Sequence, residues 1–198
     1  MIKYIIFDWG GVFTHGHLLK DFANNLSEKC ERDKVEIEKI FREAEFPYET
    51  GQIIPEFFWD EFRKKLEIHL TKEEIQSIFL NSYVINDRML ELAKKMKKKY
   101  KLILLTNNYE DLFDFIKENY KLEQYFDHMF SSSKIKDKKP NKETFKFVID
   151  KLKINPEEAI FVDDKEKNVI GAQKIGLKTI HFSGLDGFKK MLSLVNCT

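Results

Sequence analysis

Residues 3–12 read KYIIFDWGGV, a short apolar run that ends in Asp8, with Gly10 and Gly11 just beyond it. An apolar run without polar alternation predicts a strand buried on both faces. Asp8 then stands at the end of that strand, at the mouth of an α/β sheet, where such sheets bind their ligands. On an extended chain, side chains two residues apart point the same way. A proton-transfer partner for Asp8 therefore belongs at position 10, and Gly10 has no side chain to offer.

Similar runs recur at 102–105 (LILL), 129–130 (MF), 159–162 (AIFV) and 179–182 (TIHF). Amphipathic spacing predicts helices over 86–99, 109–119, 141–152 and 165–175. Asn155-Pro156-Glu157-Glu158 reads as a capped helical turn, and Gly176 as a helix stop. This alternation of strands and helices predicts an α/β fold with a doubly wound parallel sheet.

The segment 15–85 breaks the pattern. No stretch in it reads as a convincing strand, and its apolar residues fall at helical spacing, as in Leu18, Leu19, Phe22 and Leu26. Thr71 and Glu74 form a capping-box signature. The expected organisation is a core of residues 1–14 and 86–198 with a helical cap at 15–85. The aromatic stripe at 57–62 reads as the cap's own core in preference to a substrate contact. Phe46, Tyr48 and Glu49, expected in a loop before Gly51, are weaker candidates for facing the site.

Composition narrows the partners. The chain has 198 residues, 42% hydrophobic and 34% charged, with a net charge of +1. Near-neutrality gives no general argument for binding nucleic acid or a membrane surface. The basic stretch at 94–101, KKMKKKYK, reads as a solvated helix end stabilised by the C-terminal dipole. Cys30 and Cys197 form no C-x-x-C pair, which fits a reducing compartment. No apolar run approaches the roughly 18 residues of a membrane span. A strand at the very start leaves no room for a signal peptide. The expectation is a cytoplasmic protein, monomeric or weakly dimeric.

Polar residues follow three of the strand runs directly: Asp8, then Thr106-Asn107-Asn108, then Asp163-Asp164. In a parallel sheet these strand ends share one edge. Converging carboxylates without a salt partner repel one another, and a hard cation such as Mg²⁺ resolves that. Thr106 and Lys139, the latter just before Pro140, are candidates for a phosphate site. Taken alone, Asp163-Asp164 also reads as helix capping and Asn107-Asn108 as turn chemistry. His15 and His17 are ordinary exposed or hinge histidines by default. His69, His128 and His181 have no metal-ligand spacing.

The order Asp8, Thr106-Asn107, Lys139-Pro140, Asp163-Asp164 resembles the four motifs of the haloacid dehalogenase-like hydrolase superfamily. Lys139-Pro140 followed by Phe145, and Phe161-Val162-Asp163-Asp164 followed by Asn168, strengthen the match. The insertion after the first motif resembles that superfamily's first cap type, on a Rossmann-like core. The resemblance implies a Mg²⁺-dependent phosphatase acting on a small phosphorylated metabolite, with sugar phosphates one candidate class. Asp8 would be the nucleophile, forming an aspartyl-phosphate. The metal would be held by Asp8, the Gly10 carbonyl and Asp164, with Asp163 and Asn168 orienting ligands from behind. Thr106, the Asn107 N–H and Lys139 would neutralise the phosphoryl oxygens.

Gly10 departs from the family pattern, which carries a second aspartate there as general acid and base. The resemblance thus leaves three readings: a substrate with a good leaving group, a proton from His15 or His17, or a slow or inactive site. Two other functions stay open. In a 2-haloacid dehalogenase Asp8 would attack carbon, which the acidic fourth motif argues against. A non-catalytic binding or regulatory protein on the same scaffold has Gly10 as its support.

Overall fold

The computed structural model describes residues 1–196. Strand β1 (Tyr4–Phe7) leads to the two-residue β2 (Thr14–His15). Five helices follow: α1 (Leu18–Cys30), α2 (Lys34–Glu43), α3 (Glu45–Glu49), α4 (Pro55–Leu66) and α5 (Lys72–Leu80). The chain continues through β3 (Val84–Ile85), α6 (Asp87–Met96), β4 (Lys101–Thr106), α7 (Glu110–Asn119), β5 (His128–Ser131), α8 (Ser132–Ile135) and α9 (Lys142–Leu152). It ends with β6 (Ala159–Asp163), α10 (Glu166–Gln173), β7 (Lys178–His181) and α11 (Leu185–Asn196). Cys197 lies outside the described residues, and Cys30 is a free thiol.

Five strands form one parallel sheet in the order β5-β4-β1-β6-β7, the doubly wound α/β fold that the apolar runs predict. β1 is central, with Phe7 beside Leu104 on one flank and Val162 on the other. Alternate residues feed two cores. Ile5, Phe7, Leu102, Leu104, Ile160 and Val162 join one, while Ile6, Ile103, Leu105 and Phe161 join the other. Both faces are therefore covered, which is why the runs show no polar alternation. Full burial of side chains such as Ile5 and Phe7 stabilises by about 1.5–3 kcal/mol each.

Helices α1–α5 build an aromatic cluster of their own, continuous with the first core. Phe22 meets Phe41, Trp59 and Phe79 edge to face, with ring centroids 5.2 Å apart for Phe22–Phe79, while Trp59–Phe79 is tilted at 5.0 Å. Such pairs add about 0.5–1.5 kcal/mol beyond area burial. Of the 57–62 stripe, Phe58, Trp59 and Phe62 are buried in this cluster and Phe57 is exposed. The capping box at Thr71 and Glu74 forms as expected.

Two expectations are corrected. The segment 15–85 is not free of strand: β2 and β3 pair antiparallel, Thr14 with Ile85 and His15 with Val84, and close its two ends together. Pairs of two residues carry no readable periodicity. Phe46, Tyr48 and Glu49 lie in α3, not in a loop. Tyr48 is buried, its ring stacked 3.8 Å from Phe58 and 4.6 Å from Tyr109. Among the described residues no helix is long and apolar enough to cross a membrane.

Candidate active site

The sheet register carries β1 and β6 to their ends side by side, so Asp8 and Asp163 emerge together. Lys139 arrives from the loop before α9 and is fully buried between them. Its Nζ lies 2.8 Å from Asp8 Oδ1 and 2.7 Å from Asp163 Oδ2. Asn107, just past β4, holds the Lys139 backbone on both sides. Its Nδ2 donates to the Lys139 carbonyl at 3.0 Å, and its Oδ1 accepts from the Lys139 N–H at 3.0 Å. α10 presses on the same loop at Gly171, where an added Cβ would sit 2.5 Å from the Pro140 carbonyl oxygen.

Asp163 is saturated. Its carboxylate accepts from the Lys165 N–H at 2.8 Å and from Asn168 Nδ2 at 3.1 and 3.0 Å, besides Lys139. Asp164 differs: its Oδ1 is buried and has no hydrogen-bond partner among the described residues. One oxygen from each of Asp8, Asp163 and Asp164 lies within 4.8 Å of the others. A buried oxygen left without a donor is costly, and a cation satisfies it. This all-oxygen donor set suits a hard divalent ion.

Electrostatics agree. Burial pushes the Asp8 carboxyl up to about 6, against the pull of Lys139 and with added repulsion from Asp163. Asp164 is also raised, first by burial, with Lys165 opposing and Asp163 adding to it. Burial works against the charge on Lys139, but Asp8 and Asp163 outweigh it and hold the ammonium firmly protonated. One buried cation thus faces more negative charge than it can balance.

The two glycines after Asp8 do different work. Gly11 has φ +72°, and a Cβ on it would lie 2.3 Å from Asp164 Oδ2, so only glycine lets the loop close on that carboxylate. At Gly10 a Cβ would meet nothing within 4 Å, and the backbone is not left-handed. Gly10 opens onto a cleft of about 280 Å³ whose walls include Asn107, Asn108 and Asp164. The side from α1–α5 contributes Lys20, Arg42, Glu45 and Glu49, and Tyr83 follows α5. A wider depression of about 660 Å³ borders the site only at Gly11.

The sequence-predicted residues are thus largely brought together. Asp8, Lys139, Asp163, Asp164 and Asn168 form one hydrogen-bonded and charged cluster, with Asn107 tied to it. Thr106 ends β4 beside them; its Oγ1 is 3.5 Å from the Asn107 carbonyl, a long contact that leaves the hydroxyl weakly held. His17 reaches the cleft, whereas His15 lines the wider depression. Tyr83 was missed by sequence reasoning: it lies between α5 and β3 in no motif or periodic pattern. Glu49 does line the cleft, where it pairs with Lys138.

Comparison with known proteins follows the same lines. The chain is 29% identical to the D-ribitol-5-phosphate phosphatase of Bacteroides thetaiotaomicron, over 99% of this chain and 100% of that one. It is 28% identical to a sesquiterpene phosphatase of Aspergillus oryzae, over 98% of this chain and 97% of that one. A crystal structure of a haloacid dehalogenase family enzyme from Bacteroides thetaiotaomicron, in complex with magnesium and inorganic phosphate, superposes with a TM-score of 0.75. It is 28% identical and covers 91% of this chain and 93% of that one. The family model for haloacid dehalogenase-like hydrolases matches residues 2–176, and the chain belongs to that family of hydrolases.

Proposed function

We propose that this hydrolase is a Mg²⁺-dependent phosphatase that transfers the phosphoryl group of a small phosphorylated metabolite to Asp8 and then to water. The observation that carries the reading is the pairing of a buried carboxylate against Lys139 with the unpartnered Asp164 oxygen beside it. Mg²⁺ would be held by Asp8, the Gly10 carbonyl and Asp164, and when bound it neutralises and orients the phosphoryl oxygens. Asp163 and Asn168 fix the lysine and the carboxylates from behind. Lys139, Thr106 and the Asn107 N–H stabilise charge on the transferring group. Residues 1–14 and 86–198 serve as the catalytic core, and 15–85 as the cap that covers it.

The cleft supports a polar substrate. Lys20, Arg42, Glu45 and Glu49 set charged groups on its cap side. A polyhydroxylated phosphate of the ribitol phosphate kind suits such walls better than a sesquiterpenyl chain, which needs apolar surface. Dehalogenation is disfavoured by the same acidic cluster, since attack on carbon has no use for a cation held at Asp164.

The test is hydrolysis of p-nitrophenyl phosphate with Mg²⁺ and with EDTA. Turnover should require the metal and fall at least ~10³-fold in Asp8→Asn. Wild-type turnover no higher than that of Asp8→Asn overturns the reading in favour of a non-catalytic scaffold. Halide release from a 2-haloacid would overturn it in favour of the dehalogenase.

A further inference from the structure

The chain lacks the side chain that would protonate the leaving group, and the structure leaves the corresponding space open at Gly10. Three tyrosines lie near the cleft, Tyr48 and Tyr109 buried and Tyr83 half-buried, and their hydroxyls are committed differently. Tyr48 donates to Asp111 at 2.5 Å, and Tyr109 donates to Glu45 at 3.1 Å. Tyr83 is bonded to no carboxylate among the described residues. Its ring packs on the main core, and its hydroxyl feels the charge of Asp8 and the amide of Asn108. The Nδ2 of Asn108 is itself buried without a completed hydrogen bond. Tyr83, Asn108, Gly10 and Asp164 line one cleft.

The carboxyl groups on the cap side are already engaged, and His17, which also lines the cleft, is exposed. Glu45 is held by Arg42 and Tyr109, and Glu49 by Lys138. Resting on the phosphatase reading, we propose that the Tyr83 hydroxyl protonates the leaving-group oxygen, reaching across the space that glycine leaves at position 10. A carboxylate oxygen of Asp8 forms the new bond to phosphorus, and the bond to the leaving oxygen breaks with its electron pair on that oxygen. The Tyr83 proton moves to it, which releases an alcohol and leaves a tyrosinate. In the second half, water attacks the aspartyl-phosphate and its proton returns to the tyrosinate, which frees phosphate and restores Asp8. Burial and the nearby Asp8 charge raise the Tyr83 hydroxyl above its ordinary range, so it stays protonated at neutral pH and yields its proton only to a strongly basic alkoxide.

The discriminating measurement is kcat with Mg²⁺ on esters of rising leaving-group basicity, from p-nitrophenyl phosphate to glycerol phosphate, which releases an alkoxide. In Tyr83→Phe the loss should be at least ~10-fold larger on glycerol phosphate than on p-nitrophenyl phosphate, since general acid help is worth ~10²–10⁴ where the leaving group needs it. Adding Gly10→Asp to Tyr83→Phe should restore the glycerol ester preferentially, because a Cβ at position 10 meets nothing within 4 Å. Equal losses on both esters, or no loss, overturn the assignment while the phosphatase reading stands. A wild type without Mg²⁺-dependent turnover of either ester overturns that reading, and this inference with it.

Discussion

Two aspartates, Asp164 at the sheet edge and Asp111 on α7, show opposite uses of one side chain. Asp111 is saturated by neutral donors from three helices: Tyr48 Oη at 2.5 Å, Trp59 Nε1 at 2.8 Å and Gln76 Nε2 at 2.6 Å. Its own helix adds the Leu112 N–H at 2.9 Å. Asp164 sits among other carboxylates with one buried oxygen unpartnered. A saturated carboxylate fastens α3, α4 and α5 to the sheet domain. An unsaturated one among like charges can take a cation, the role proposed for Asp164.

The contrast breaks most readily at Lys139, the one cation inside the sheet-edge cluster among its described contacts. Lys139→Met leaves Asp8 and Asp163 facing each other without it. Breaking a buried pair in this way costs about 3–5 kcal/mol. Denaturant unfolding of the metal-free variant should show that loss, and Mg²⁺ should recover part of it. A loss under about 1 kcal/mol would mean the cluster is not held together by charge.

Asp8, Lys139 and Asp163 were legible because each follows an apolar run or precedes a helix start, and topology brings strand ends together. Asp111 was not legible. It looks like any acidic residue in the first turn of α7, and its three donors come from positions 48, 59 and 76. Tyr83 was hidden for a related reason, since no local pattern says that a residue before a two-residue strand lines the cleft with Gly10 and Asp164. The helical character of 15–85 was readable from spacing; the β2–β3 pairing that closes it was not. Gly10 was readable as an absence, whereas the open space above it needed coordinates.

Asp111 tests the other side of the comparison. Asp111→Ala strands the Tyr48 hydroxyl and the Trp59 indole N–H, both on buried side chains. Unsatisfied buried donors cost about 1–3 kcal/mol each, so a loss of about 2–6 kcal/mol is expected. Tryptophan fluorescence should report loosening around Trp59, with Mg²⁺-dependent stabilisation intact. A variant that loses the metal effect along with its stability would mean that the two aspartates are coupled, and the division between fastening and chemistry would fail.

The gentlest test uses pH, which acts on the two sites unequally. Burial raises the Asp8 carboxyl from 3.8 to about 6 in the fold. For a group raised in this way, the stability it contributes without metal is fully present below 3.8 and is lost as pH climbs through about 6. Metal reverses the slope, because only the ionised carboxylate binds it. Below about 6, each pH unit should weaken Mg²⁺ binding up to tenfold, or about 1.4 kcal/mol of metal-linked stability under saturating ion. The rise in melting temperature on adding Mg²⁺ should therefore be small at pH 5 and full above pH 7. Asp111→Ala should shift both curves down without changing where they diverge. A Mg²⁺ increment that is flat from pH 5 to 7.5 would mean the ion does not bind at Asp8. The unpartnered oxygen of Asp164 would then need another explanation.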